Sequence, residues 1–569
     1  MLPKSQASPW LRSWLRRTST WWLYLGLAGL GALTFLLRCI RLFDSNNYYL
    51  INPDSYFFHW VAGRVISGEG PPAGTSGVNF DLHSGFAYPL AYIAKALEFT
   101  FHLSSADSLK LACEFLPPAV AVISMFVLYF AVARLCNRRV AFFCALAWAL
   151  LSYLIFVGAA GNNDRDSLTI LLLMVGAISF YSFRGWRFNI GNRDVRWVVA
   201  AISVLLVQGL LYLEWGFEGA PIMLFVIFVY FVFKYILDYL SLRRSEPSVK
   251  RRLVLAAKKL DLRPFVLVVV IDLVIAGLNY HELRTSFGIL QGMLIGRFKY
   301  DPYGSSEMMG LSLRDLFSYG FFTIPIVAGI YVALKWRNDA IVFFTSWFVS
   351  LVFLSVFAYR LLFASLPAAC VVSGAGLAYL WDVSQRVKVE TWKKVGMVIL
   401  LILLFLGSWL GATGIGGDGV LSPNRQWQRA LAYLRDSTPE DAIVMSQWGC
   451  GYWILDVGQR RPLVDNGYYG WDVGRLHGVG LAYSTSNPDE AAAIMAKNGA
   501  EYLVFAKQDL DLAKPIMAWA FFNNEHDEFP DESLVVRSLN GEFVGGDGLE
   551  VVFKNDEVVI LALAQPVQK

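Results

Sequence analysis

The chain has 569 residues, 56% of them hydrophobic, with a mean hydropathy of +0.47 and a formal net charge of +4. A water-soluble domain averages roughly 45–50% apolar residues, and here the excess falls in long uncharged runs, which excludes a purely soluble chain. So small a net charge also argues against a nucleic-acid partner. Of six cysteines, Cys39, Cys113, Cys136, Cys144 and Cys370 lie in or beside apolar runs, without the spacing of a disulfide or zinc framework. Cys450 lies outside them.

The first run, "WWLYLGLAGLGALTFLL", approaches the roughly 20 residues that cross a bilayer. It has no small-residue cleavage site and many runs follow it, so it reads as a span and not as a cleaved signal. In chain order the candidate spans are 21–40, 114–133, 140–157, 167–183, 197–213, 218–238, 263–279, 315–334, 339–357, 361–381 and 395–412. A short further pair fits within 197–262. From about residue 420 the pattern changes: "EYLVF" and "LEVVF" are strand-like, "QRALAYLRD" and "DEAAAIMAKNGA" helix-like, with Asn, Asp, Gly and Pro in the turns. The expectation is a polytopic α-helical membrane protein of about 11–13 spans over 1–415, followed by a soluble mixed α/β domain over 416–569.

Orientation follows from the basic loops. "RSWLRR" precedes the first span, and "ARLCNRR", "FRGWRFNIGNRDVR", "SLRRSEPSVKRRLVLAAKK", "KWRND" and "SQRVKVETWKK" follow every second span. All six fall on one face, expected to be cytoplasmic. Loops 41–113, 158–166, 214–217, 280–314 and 358–360, and the soluble domain with them, then face outward.

Four acids in the outward loops sit near the membrane surface: Asp54 in "INPDSYFFHW", Asp164 and Asp166 in "GNNDRDSLTI", and Glu307 in "YGSSEMMG". Sidedness alone allows them to meet. Clustered carboxylates repel one another unless a proton or cation neutralises them, and a hard ion such as Mg²⁺ or Mn²⁺ suits oxygen ligands. Plainer roles stay open. Asp164 or Asp166 could cap the helix starting near Ser167, Asp54 could be a turn acid after Pro53, and Glu307 a solvated loop charge. His59 and Arg64 read as packing or surface residues.

An acid after the first span, an Asp-x-Asp in the next outward loop, "YGSSEM" in a long later loop and an outward Trp/Gly cluster together resemble the catalytic subunit of oligosaccharyltransferases. These are polytopic glycosyltransferases of the C-type (GT-C) fold, usually with thirteen spans. The resemblance implies transfer of an oligosaccharide from a polyprenyl diphosphate carrier to the asparagine of an acceptor polypeptide. It implies that Asp54, Asp164, Asp166 and Glu307 bind Mn²⁺ or Mg²⁺, and that Asp54 and Glu307 engage the acceptor amide. Arg360, in "FAYRLLFASLPA", resembles the arginine that binds the diphosphate; it could also be an interfacial snorkelling residue. Asp511, Lys514 and Met517 in "DLDLAKPIM" resemble the Asp-x-x-Lys motif and are expected about one turn apart on one helix, where a solvated face is the plainer role.

The chain departs from the family in "SQWGCGYWILDVGQRRPLVDNG". Where the family has WWDYG, whose acid recognises the acceptor hydroxyl, this chain has Gln447-Trp448-Gly449-Cys450-Gly451, with Gly449 at the aspartate. Trp448 could wall an acceptor groove, or pack with Trp453 in the domain core. Val157 stands where the family often has an arginine, seven residues before Asp164, and Gly304 replaces a serine before Glu307. Three readings follow: an N-linked oligosaccharyltransferase with an altered acceptor rule, a related C-type enzyme acting on a hydroxyl amino acid, lipid or glycan, and a non-enzymatic carrier-binding protein or transporter. Acids within spans would favour transport, and Asp238 and Asp272 are the candidates. A bacterial inner membrane with a periplasmic soluble domain is expected, and the chain needs no other subunit to supply the acids.

Overall fold

A computed structural model describes residues 9–43, 50–69, 86–163, 166–185, 189–190, 193–194, 198–199, 202–207, 220–242, 245–260, 265–266, 269–270, 317–355, 359–387, 389–414, 422–465, 473–521, 526–546 and 548–564. The first half is helical: α1 (Pro9–Cys39), α2 (Pro53–Ser67), α3 (Ala87–Phe101), α4 (Ser105–Leu135), α5 (Arg138–Leu150), α6 (Ser152–Val157), α7 (Asp166–Gly185), α8 (Ala220–Ser241) and α9 (Val249–Lys259). A short antiparallel hairpin, β1 (Asn189–Ile190) with β2 (Arg193–Asp194), lies in one basic loop. Then come α10 (Thr323–Trp336), α11 (Asp339–Ser355), α12 (Leu366–Ser384) and α13 (Glu390–Gly414).

Three described stretches are long and apolar enough to cross a membrane: Ser105–Leu135, Tyr319–Trp336 and Leu362–Ser384. Shorter apolar helices run over Leu23–Cys39, Asp166–Ser182, Asp339–Ser355 and Val398–Trp409. This is an integral membrane protein. The expected spans 197–213 and 263–279 fall mostly outside the described residues.

One span is corrected. The run 140–157 is two helices, because Leu151 is extended at φ −70° and ψ 117°. Such a break frees backbone carbonyls where no water can meet them. Ser408 of α13 donates its hydroxyl to Leu150 O. The buried Arg38 of α1 donates Nη2 to Trp148 O at 3.3 Å and to Leu154 O at 3.0 Å.

The second half holds α14 (Arg425–Ser437), β3 (Ile443–Met445), α15 (Gly451–Asp456), β4 (Arg461–Pro462), α16 (Val473–Ser484), α17 (Pro488–Lys497), β5 (Tyr502–Ala506), α18 (Gln508–Asp511), α19 (Ala513–Phe521), α20 (Leu534–Asn540), β6 (Gly545–Gly546), β7 (Leu549–Lys554) and β8 (Val558–Leu563). The sheet order is β4-β3-β5-β8-β7-β6. The pairs β3–β4 and β3–β5 are parallel, while β5–β8, β8–β7 and β7–β6 are antiparallel. Strand β5, "YLVFA", is buried at four of its five positions, as a strand covered on both faces must be.

The acid-bearing α2 and its neighbour α3 share a core with this sheet domain. Tyr56, Phe57, Phe58, Phe86 and Leu90 pack in one cluster with Trp427, Leu431, Tyr452, Trp453 and Ile560. The Tyr56 ring lies edge-on to Trp453 at 6.3 Å, and Phe57 lies 5.1 Å from Tyr452.

Candidate active site

Asn52 starts α2, its side-chain oxygen accepting from Asp54 N at 3.1 Å, with Pro53 in the first helical turn. Asp54 therefore sits where the helix dipole favours negative charge. Asp166 is half-buried as the first residue of α7. Asp164 and Glu307 lie outside the described residues, and Arg360 falls in the turn Tyr359–Ser365 that leads into α12.

The described residues show how the first two acid segments meet. Ile51 N donates to Gly161 O at 3.2 Å. Asn163 N donates to Ser55 Oγ at 2.8 Å, while its Nδ2 donates to Cys113 O at 2.8 Å. The residue before Asp164 is thus bonded to the residue after Asp54. Val157, where the resemblance leads one to expect an arginine, is buried. Among the described residues no three His, Cys, Asp or Glu side chains gather as a ligand group.

On the other side, α2 is clamped to α15. His59 Nδ1 donates to Asp456, at 2.8 Å from Oδ1 and 3.0 Å from Oδ2, and the Asp456 side chain is only 6% exposed. Arg64 faces solvent more, 3.3 Å from Glu69 and 5.4 Å over the Trp60 ring. Gly451 begins α15 against the end of β4. A Cβ there would come within 2.4 Å of Val464 O, so the approach requires glycine.

Because β3 and β5 are parallel, the segments that follow them emerge at the same sheet end, where α/β sheets place ligands. Trp448–Cys450 forms a single turn after β3, with Trp448 and Gly449 half-buried. Gln447 closes this turn: its Oε1 accepts from Gly449 N at 2.6 Å and its Nε2 donates to Cys450 Sγ at 3.0 Å. Gln508, after β5, donates Nε2 to the same sulfur at 3.2 Å. Beneath them, Tyr483 OH accepts from Gln447 N at 2.9 Å and donates to Val504 O at 2.6 Å. Asp509 completes the network, its Oδ2 accepting from Ala506 N at 2.7 Å. Burial pushes the Asp509 carboxyl up to about 7, against the pull of the Ala506 N–H and the Tyr483 hydroxyl. Burial also raises the Cys450 thiol well above its usual range, with the Asp509 carboxylate adding to it.

Sequence reasoning did not single out Asp509, two residues before Asp511. The single helix expected over "DLDLAKPIM" is two, interrupted at Leu512, where α18 ends before α19 begins. Asp511 and Lys514 are exposed while Met517 is 1% exposed in the core, so the three do not share one face. Lys514 pairs with Asp527 at 2.6 Å in the open.

The fold is that of the C-type membrane glycosyltransferases. An archaeal oligosaccharyltransferase, AglB from Archaeoglobus fulgidus solved with an inhibitory peptide and a dolichol-phosphate, matches with a TM-score of 0.71 at 14% identity, over 94% of this chain and 80% of that one. ArnT from Cupriavidus metallidurans matches with a TM-score of 0.51 at 12% identity, over 96% and 98%. In sequence, the dolichyl-diphosphooligosaccharide–protein glycosyltransferase subunit stt-3 of Caenorhabditis elegans is 25% identical over 242 residues, 32% of each chain. The chain thus spans about a third of the length of the curated relatives it matches. No family model matches it. Sequence and fold comparisons together support the oligosaccharyltransferase catalytic-subunit family.

Proposed function

We propose that this chain transfers an oligosaccharide from a polyprenyl diphosphate carrier to an acceptor polypeptide, onto asparagine side chains, with inversion at the anomeric carbon. The reading assigns residues 1–415 to the membrane catalytic portion and 416–569 to a soluble domain in the periplasm of a bacterial inner membrane. The observation that carries it is the double engagement of α2. Its start is hydrogen-bonded to the loop ahead of Asp164 through Ser55 and Asn163, while its body packs on the domain bearing the Trp448 turn. Donor chemistry at the membrane and acceptor recognition outside it would then share one rigid helix.

A donor set of four carboxylates suits a hard divalent cation. Asp54, Asp164, Asp166 and Glu307 would hold Mn²⁺ or Mg²⁺, which when bound would stabilise the departing diphosphate. Arg360 would add a charge-assisted hydrogen bond to the same phosphates. A carboxamide nitrogen is a poor nucleophile because its lone pair is delocalised. Asp54 and Glu307 would accept its two N–H bonds, weaken that delocalisation and orient it for attack. Trp448 would wall the acceptor groove, with Asp511, Lys514 and Met517 on the segment beside it.

A second reading, transfer to a hydroxyl amino acid, a lipid or a glycan, is favoured by Gly449. Its N–H is taken by Gln447, and no carboxylate stands at that position of the turn. Mass spectrometry of periplasmic proteins with and without the gene separates the two. Loss of glycans on asparagine supports the first reading, and loss on serine, threonine or lipid alone moves it to the second. Asp54→Ala or Glu307→Ala should lower turnover by about 10²-fold or more with folding intact, and unchanged turnover in either would sink the assignment.

A further inference from the structure

Arg38 lies near the end of α1, 1% exposed among apolar side chains. A guanidinium enclosed in this way is costly unless its hydrogen bonds are met. Nη1 donates to Thr34 O at 3.0 Å within its own helix, and Nη2 reaches Trp148 O and Leu154 O, one on each side of the α5–α6 break. Nε finds no partner among the described residues. The loop that leads to the Asp-x-Asp pair runs directly over it: a Cβ on Gly158 would come within 2.7 Å of Nε and 3.0 Å of Ala121 Cβ. The Arg38 carbonyl then accepts from Ala160 N at 2.9 Å. Next along the loop, Gly161 O is bonded to Ile51 N and Asn163 N to Ser55 Oγ. Residues 158–163 are therefore anchored first on Arg38 and then on the start of α2.

We propose that Arg38 is a positioning residue for the outward acids: by bridging the α5–α6 break beneath loop 158–163, it holds that loop against the start of α2 and sets the spacing between Asp54 and Asp166. This rests on the reading of those acids as a cation site. The planar fork matters, because a lysine ammonium in the same place keeps the charge but cannot reproduce the geometry that reaches both sides of the break. Gly158 is the other half of the device, since any side chain there would lift the loop off the guanidinium.

The test uses the full-length protein in detergent as wild type, Arg38→Lys, Gly158→Ala and the double variant. Mn²⁺ binding is followed by electron paramagnetic resonance, folding by thermal melting, and transfer kinetics with a lipid-linked oligosaccharide and an asparagine peptide. Each single variant should weaken Mn²⁺ binding and lower kcat by roughly 10–100-fold, as loss of a ligand-orienting partner does, with the donor KM little changed. The double variant should be no worse than the poorer single one, because both displace the same loop. Wild-type Mn²⁺ affinity in either folded single variant would overturn the proposal, as would additive losses or a wild type that binds no Mn²⁺. A bridge that merely holds α5 and α6 together would lower the melting temperature alone. If the Mn²⁺ losses appear but the wild type transfers no sugar, the substrate reading fails while the role of Arg38 stands.

Discussion

The carboxyl of Asp509 offers the sharpest check on the sheet domain. It is buried beneath the Trp448 turn, and its pKa is raised from the usual 3.8 to about 7, chiefly by desolvation. At ~1.36 kcal/mol per pKa unit, ionising it in the folded state costs about 4 kcal/mol. The sign follows from linkage. Below pH 3.8 the folded and unfolded chains both hold the proton. Between 3.8 and about 7 the unfolded chain gives it up while the folded one keeps it, so stability falls steadily. Above about 7 both are ionised and the full loss remains. Asp509→Asn preserves the oxygen that accepts from Ala506 N but cannot ionise. Thermal melting of the full-length protein by tryptophan fluorescence at pH 5, 6, 7 and 8 reads the difference. The wild-type transition of this domain should drop toward pH 8 relative to D509N. Between pH 5 and about 7 that loss is about 2.7 kcal/mol, so at ~2–4 °C per kcal/mol for a domain of this size the two curves should separate by about 5–10 °C. Curves that stay parallel from pH 5 to 8 would refute a carboxyl that is protonated in the fold.

Other perturbations test the contacts around it. His59→Ala leaves Asp456 enclosed without its partner and should cost about 1–3 kcal/mol in thermal stability. Asp456→Asn keeps an acceptor for His59 and should cost less, so equal losses would argue against the clamp. Gly451→Ala forces a methyl onto Val464 O and should destabilise by about 1–3 kcal/mol. Gly449→Ala meets only the movable Gln447 side chain, at 3.0 Å, and should melt closer to wild type. Lys514→Ala removes an exposed pair with Asp527 and should leave the melting temperature unchanged. A raised acceptor KM in that variant would then report binding and not folding.

What the sequence made legible follows a physical pattern. Apolar runs such as "LPAACVVSGAGLAYLW" announce themselves, because a bilayer demands length without charge, and Leu362–Ser384 is duly one long helix stretch. "EYLVF" announces a strand because Tyr502, Val504 and Phe505 are aromatic or β-branched, and it became the central β5. Asp54 stood out because an acid beside apolar walls needs a reason. The break at Leu151 had no such signal. "ALAWALLSYLIFV" contains neither glycine nor proline, and the carbonyls the break frees, Trp148 O and Leu150 O, are met by Arg38 and Ser408, far away in sequence. Asp509 and Asp511 are likewise indistinguishable in "DLDL" until the parallel pairing of β3 and β5 turns one inward beside Tyr483.

The Trp/Gly stretch carries the same lesson furthest. Its residues divide between two tasks that no spacing rule could separate. Tyr452, Trp453 and Ile454 turn inward, into the core shared with α2, and Trp453 stacks edge-on against Trp427 at 5.4 Å as well as Tyr56. Trp448 and Gly449 remain half-buried on the turn that Gln447 closes. Trp453, which packs on the Asp54 helix, stands only five positions after Trp448 on the turn. With so short and well-packed a link, a shift of α2 must move the Trp448 turn with it. Trp453→Ala removes the ring that packs on Tyr56 of α2 and should therefore disturb the Asp54 end of that helix and the Trp448 turn together, where Gly449→Ala, meeting only the Gln447 side chain, should disturb the turn alone.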